Sequence, residues 1–174
     1  MNPVQRIKEE FAEDVLHVAV HRGQETVYVK RDRILAILSL LKEDKDLSFG
    51  YLADLAGADH LEFPYAPERY AVAYHLYSFP NRRWQRVKAM VPEEDPWIDS
   101  AVELWPAANW LEREVYDLFG ISFRGHPDLR RILMPEDFPG HPLRRDYPLK
   151  GMGYRERFRK VTGAAAGDEK RGTP

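Results

Sequence analysis

Tyr70-Ala71-Val72-Ala73-Tyr74-His75-Leu76-Tyr77-Ser78-Phe79 is the stretch on which the fold turns. Successive residues of a strand point to opposite faces, and here apolar or aromatic side chains occupy both parities. A strand that is apolar on both faces has both faces covered, so this one is expected inside a sheet. Pro80-Asn81 then reads as a turn. Beyond it Val87, Ala89 and Val91 alternate with Arg86 and Lys88, which gives the returning strand one buried and one polar face. Upstream, Phe49 to Leu55 is expected to add a third strand to this group.

Further toward the N-terminus, Leu16, Val18 and Val20 alternate with His17, Ala19 and His21, a half-buried strand. The turn Arg22-Gly23-Gln24 leads to Val27 and Val29, alternating with Thr26, Tyr28 and Lys30, so the two strands form a hairpin. Helices flank it. Val4, Ile7 and Phe11 recur at helical spacing between Pro3 and Glu13, and Ile34, Ile37, Leu38 and Leu41 form one apolar stripe with Asp32 placed to cap it.

On the C-terminal side a helix is expected from Ala107 to Phe119, stopped by Gly120. At 100° per residue Ala108, Leu111, Val115, Leu118 and Phe119 share one arc, with Trp110, Arg113, Glu114 and Asp117 on the other. The element order is therefore α-β-β-α-β-β-β-α. That order predicts an α+β fold, with helices packed on one face of a mostly antiparallel sheet. Five of the thirteen prolines lie between Gly125 and Pro148, which excludes a long helix or a central strand there. The expected organisation is an α+β core at 1–123, an extended Pro/Arg-rich partner-binding arm at 124–150, and a charged, flexible C-terminal tail at 151–174.

Composition narrows the function. With 44% hydrophobic and 31% charged residues, 174 residues suffice for one globular core. A net charge of −2 gives no basic surplus for nucleic acid. The chain has no cysteine, which excludes disulfides, thiolate catalysis, zinc ribbons and cysteine-ligated iron–sulfur clusters. No run approaches the roughly 20 apolar residues of a membrane span. Met1 to Arg6 lacks the apolar core of a signal peptide, so the chain is expected to stay inside the cell and to reach a membrane only through a partner.

Two consecutive blocks carry the strongest signal. They are Trp110-Leu111-Glu112-Arg113-Glu114-Val115-Tyr116-Asp117-Leu118-Phe119-Gly120 and Gly125-His126-Pro127-Asp128-Leu129-Arg130-Arg131-Ile132-Leu133. They continue into Met134 to Leu149, with Gly140-His141-Pro142-Leu143-Arg144-Arg145-Asp146-Tyr147-Pro148 at its end. These roughly forty residues resemble the thirty-kilodalton subunit family of respiratory complex I, the NADH–quinone oxidoreductase. Phe138 stands where the family often has Trp, and Arg145 where it often has Lys.

The resemblance implies a subunit of the peripheral arm of a proton-translocating enzyme, on the cytoplasmic side of the membrane and peripheral to it. It implies the quinone-site forty-nine-kilodalton subunit and neighbouring iron–sulfur subunits as partners. Since the chain ends at Pro174, the forty-nine-kilodalton partner is expected as a separate polypeptide. It also implies no cofactor and no catalytic residue in this chain, with flavin and clusters in the partners. The homologous subunits of membrane-bound nickel–iron hydrogenase or formate hydrogenlyase, and of the ferredoxin-dependent photosynthetic complex, are the alternatives.

A reading of another class is a free-standing metal enzyme using His126, His141, Asp128, Glu136, Asp137 and Asp146. No recognised ligand spacing supports it, and both histidines precede proline. Glu112 and Glu114 as an acid–base pair fail on geometry, because residues two apart on a helix face apart. They are expected as surface or interface carboxylates. Arg82, Arg83, Arg86 and Lys88 form a basic strip, by default a solvated strand face. Three features favour a binding role. Trp110 lies on the polar arc of its helix, where an exposed Trp serves as an interface anchor unless a loop covers it. Leu129, Ile132, Leu133, Phe138, Leu143 and Tyr147 are apolar anchors on a proline-stiffened segment, which lies along a partner or folds back over its own sheet. Arginine dominates its cations, as suits bidentate pairing at an interface. The candidate partner contacts are Trp110, Glu112, Arg113, Glu114, His126, Arg130, Arg131, His141, Arg144, Arg145, Asp146 and Tyr147.

Overall fold

The computed structural model describes residues 2–152. Helix α1 (Pro3–Glu10) starts where the Asn2 side chain accepts the Val4 N–H at 2.8 Å and Pro3 fixes the first turn. Strands β1 (Val15–His21) and β2 (Gln24–Lys30) form the hairpin, turned through Arg22 and Gly23, both at positive φ. Helix α2 (Ile34–Glu43) follows a single 3-10 turn, Arg31–Arg33. Asp32 lies within that turn and does not cap the helix, because the turn's own i→i+3 bonding hands the chain into it.

Strands β3 (Tyr51–Asp59), β4 (Tyr70–Ser78) and β5 (Arg83–Val91) complete a five-stranded sheet of order β1-β2-β5-β4-β3, antiparallel except for β2 beside β5. The doubly apolar β4 lies between β5 and β3, as its composition requires. Helix α3 (Ala108–Phe119) is flanked by two three-residue strands, β6 (Trp97–Asp99) and β7 (Ser122–Arg124), paired in parallel as a second sheet. The sequence pattern did not reveal them, because three residues are too few for alternation to show.

The helices share one core with one face of the sheet. Val4, Ile7, Ile37, Leu38, Val115 and Phe119 join Val29, Leu55, Val72, Tyr74, Val87 and Ala89. Each of the larger side chains buried there contributes about 1.5–3 kcal/mol. Approach is tightest at Gly57, where an added Cβ would lie 2.6 Å from the Phe119 ring. Glycine lets α3 sit against β3.

The edge strand departs from expectation. Leu16 and Val20 are exposed, because β1 has a neighbour on one side only and no helix reaches its outer end.

From Gly125 to Met152 there is no helix or strand. The segment is a series of turns, closed by bonds such as Phe138 N–H to Pro135 O at 3.0 Å and Tyr147 N–H to Arg144 O at 3.0 Å, and not the extended run expected from its prolines. The expected tail lies outside the described residues beyond Met152.

Candidate partner-binding surface

Helix α3 carries two carboxylates five residues apart, and both are fully buried. Glu112, expected at the surface, faces inward. Its Oε1 accepts the Ala101 N–H at 2.6 Å and its Oε2 lies 2.6 Å from the Ser100 hydroxyl. Burial pushes this carboxyl up to about 7, against the two hydrogen bonds that pull it down. Glu112 therefore ties α3 to the turn after β6 and is closed to any partner. Glu114, two residues on, is exposed.

Asp117, expected on the polar arc, is the organising group of the arm. Its Oδ2 accepts three successive backbone N–H groups, from Ile132, Leu133 and Met134, at 3.0, 2.7 and 2.8 Å. Its Oδ1 meets Arg131 Nη1 at 2.9 Å. Burial raises this carboxyl, but the three N–H groups and the guanidinium outweigh it and leave it below the ordinary carboxylate range. The arm thus folds round a charge supplied by the helix.

The other contacts extend this clamp. Arg131 also donates to Gly140 O at 3.1 Å. Arg113 donates to the carbonyls of Arg130 and Arg131. His141 Nδ1 lies 2.9 Å from Asp117 O, and since a carbonyl only accepts, that nitrogen carries the proton. Burial lowers the His141 pKa, which favours the neutral ring, and the ring stands edge-to-face with that of Tyr116. Arg144 Nε donates to Phe119 O at 2.6 Å, one residue before the helix stop. Gly120 is in the left-handed region at φ 74°, and a Cβ there would lie 2.5 Å from His141 Nε2. This glycine serves twice: it ends the helix and leaves room for the arm.

At its far end the arm joins a second buried ion network. Asp59 and Arg69 are nearly inaccessible and pair at 3.1 Å. The Arg145 N–H donates to Asp59 Oδ2 at 2.9 Å, and its guanidinium reaches Asp59 O and Glu62. Asp146 pairs with Arg69 at 2.9 Å. Tyr147 stacks on Phe138 with centroids 5.9 Å apart. His126 accepts the Asp128 N–H on Nδ1 and donates from Nε2 to Asn109 O at 3.0 Å, a neutral tautomer holding a turn. Among the described residues Arg130 forms an ion pair with neighbouring Asp128 alone, and it is exposed.

The chain's own structure therefore uses Arg113, Arg131, His141, Arg144, Arg145 and Asp146 of the expected contacts to fix the arm. Apolar side chains stand outward beside charged ones such as Asp128, Arg130, Glu136 and Asp137. Trp110 is 69% exposed, and Leu133, Leu143 and Leu149 are exposed too. Asp117, Asp59 and Arg69 were not among the expected residues; nothing local marks them, since their partners lie far along the chain. Among the described residues no three His, Asp or Glu side chains are grouped to hold a metal ion, and no helix is long and apolar enough to cross a membrane.

Residues 27–153 match the family described as respiratory-chain NADH dehydrogenase, 30 kDa subunit. The chain is 48% identical over 148 residues to an NADH-quinone oxidoreductase subunit of Citrifermentans bemidjiense, covering 85% of this chain and 89% of that one. Among solved structures, a trypsin-resistant fragment of Nqo5 matches with a TM-score of 0.63 at 40% identity, over 74% of this chain and all of the fragment. A chain of the membrane-bound sulfane sulfur reductase, an archaeal respiratory membrane complex, shares the fold, with a TM-score of 0.66 over 98% of this chain and 96% of that one at 22% identity. The chain belongs to the respiratory-chain NADH dehydrogenase 30 kDa subunit family.

Proposed function

We propose that this family member is a cofactor-free scaffold in the peripheral arm of an NADH–quinone oxidoreductase, on the cytoplasmic side of the membrane. In that position it docks beside the quinone-site forty-nine-kilodalton subunit and neighbouring iron–sulfur subunits through residues 124–150 and the exposed side of α3. The observation that carries this reading is the polar clamp on Asp117. It fixes the arm's backbone from within while Leu133, Leu143, Leu149 and Trp110 remain outward. An arm already held in shape loses less conformational freedom on docking, and exposed apolar anchors on a rigid segment are what a partner's pockets take.

The absence of cysteine leaves no thiolate to ligate an iron–sulfur cluster in this chain. His126 and His141, the histidines of the metal-enzyme alternative, are each bonded to a backbone carbonyl. That use disfavours a catalytic role for them.

A tagged chain purified from its native host tests the reading. The quinone-site subunit is expected to copurify, and Leu133→Asp with Leu143→Asp to reduce its recovery at least tenfold while the isolated chain keeps its fold. Recovery of the tagged chain without partners, or undiminished recovery with the double variant, would overturn it.

A further inference from the structure

The helices cover one face of the five-stranded sheet, and direct cross-strand partners define what the other face carries. One row runs Ala56, Ala73, Lys88, Tyr28, His17 across β3, β4, β5, β2 and β1. The next holds Asp54, His75, Arg86 and Thr26, and the third Tyr51, Tyr77 and Trp84. The third row is an aromatic platform. Tyr77 meets Trp84 at 4.8 Å and Phe79 at 5.0 Å between centroids, and Tyr51, Phe79 and Trp84 are about half exposed or more. At the opposite end a cavity of about 410 Å³ opens between Tyr28, Lys88 and the loop carrying His60, Phe63 and Tyr65.

Between these two apolar ends stand two half-buried cations. Arg86 spends its donors on neutral acceptors: Gln24 Oε1 at 3.1 Å, Thr26 Oγ1 at 3.5 Å and His75 Nδ1 at 3.5 Å. Lys88 lies over the Tyr28 ring at 5.5 Å. Among the described residues neither forms an ion pair. Burial and the neighbouring Arg86 both depress the Lys88 pKa, and the same two influences depress that of His75. The face's one row carboxylate, Asp54, stands beyond His75 on β3. Two like charges held half out of water without a counter-charge are costly, and an anion laid over them relieves the cost.

We infer that this open sheet face is a second protein-binding surface, which takes an acidic, partly apolar segment of another polypeptide chain. Arg86 and Lys88 are two apart on a strand, about 6–7 Å along it. Carboxylates on alternate residues of an extended segment match that spacing, and its apolar side chains meet the platform and the cavity. Nucleic acid fits worse: a tight complex neutralises many phosphates, and the strands of this face offer few cations, Arg86, Lys88 and the exposed Lys30, on a chain of net charge −2. The surface is separate from the arm of residues 124–150.

A photocrosslink in the intact assembly tests this. Benzoylphenylalanine replaces Trp84 in the full chain expressed in its native host, the purified complex is irradiated, and the adduct is mapped by mass spectrometry. The expected adduct is a net-acidic segment of another polypeptide. Lys88→Gln should reduce its yield severalfold, and Arg86→Glu with Lys88→Glu at least tenfold. No adduct, an adduct to a second copy of this chain, to nucleic acid or to a segment without acidic excess, or a yield indifferent to both variants would overturn the inference. The same crosslinker at Leu133 reports the arm, so failure there with a Trp84 adduct retained strikes the proposed function and leaves this surface standing.

Discussion

The sheet with its helices and the arm at 124–150 are both well placed, but by opposite means. In the first, order comes from apolar interlock: Phe119 and Val115 against Gly57, and Tyr74, Val87 and Ala89 under the helices. In the second, regular secondary structure is absent and order comes from polar groups converging on Asp117 and on the Asp59–Arg69 pair. The difference teaches how a proline-rich segment is held without a core of its own. A buried charge on the folded body satisfies backbone N–H groups that no helix or strand would satisfy. The two buried carboxylates of α3 divide along the same line, Glu112 bracing the body and Asp117 gripping the arm.

The largest effect is expected where that grip is removed. Asp117→Ala leaves three N–H groups without their acceptor and Arg131 without its counter-charge, and should cost about 3–5 kcal/mol, the usual consequence of breaking a buried charged pair. Denaturant titration measures it, and limited proteolysis should show cleavage within 124–150 at least tenfold faster while the sheet persists. Asp117→Asn, which keeps one acceptor oxygen, should fall between. A loss under 1 kcal/mol would mean the arm is held by something else.

Next comes a pH effect that separates the two carboxylates. Glu112 has a folded pKa raised to about 7 from the ordinary 4.5 of a glutamate. The folded chain thus keeps a proton that the unfolded chain has released. Its contribution is fully present below about 4.5 and is lost as pH rises to about 7, a fall of up to about 3 kcal/mol. Asp117 has its folded pKa depressed, so its contribution is present above the ordinary carboxylate range and is lost as pH falls through the folded value. Between about pH 4.5 and 8 the stability of the wild type should fall relative to that of Glu112→Gln, whose amide reproduces the protonated acid, because the lowered pKa values of His60, His75 and His141 act on both proteins alike. An unchanged slope in that variant would assign the decline elsewhere.

Gly120→Ala should cost about 2 kcal/mol, from strain at φ 74° and from the Cβ meeting His141. It acts where body and arm join, so thermal unfolding should show both affected together. An effect on proteolysis of the arm alone would show that the helix stop itself is tolerant.

Arg130→Ala should be the smallest, within about 0.5 kcal/mol, because its pair with Asp128 is exposed and local. A larger loss on denaturation of the isolated chain would give Arg130 a share in the clamp.

Much of the body was legible in advance. Tyr70 to Phe79 placed a strand inside the sheet, the Arg22-Gly23 hairpin was explicit, and Gly120 stopped α3 where the structure stops it. The failures were of context. The apolar arc drawn for α3 put Asp117 outside, and Glu112 was taken for a surface or interface group on account of its charge, although its position four after Ala108 falls within that arc. The candidate contacts Arg131, Arg144 and Arg145 were picked for chemistry suited to interfaces, and the structure spends that chemistry within the chain.

The sequence by itself determined the alternation of strands and helices, the family, and the lack of regular structure after Gly125. Side-chain parity, proline's missing N–H and glycine's access to positive φ are properties of a residue and its near neighbours. Only the tertiary structure decided that Glu112 and Asp117 are buried, which cations are paired, and which anchors face outward. The state of a polar group depends on what folds over it. For Glu112 that is Ser100, 12 residues before it, and for Asp117 it is the backbone 15 to 17 residues after it. No periodicity within a helix encodes those distances.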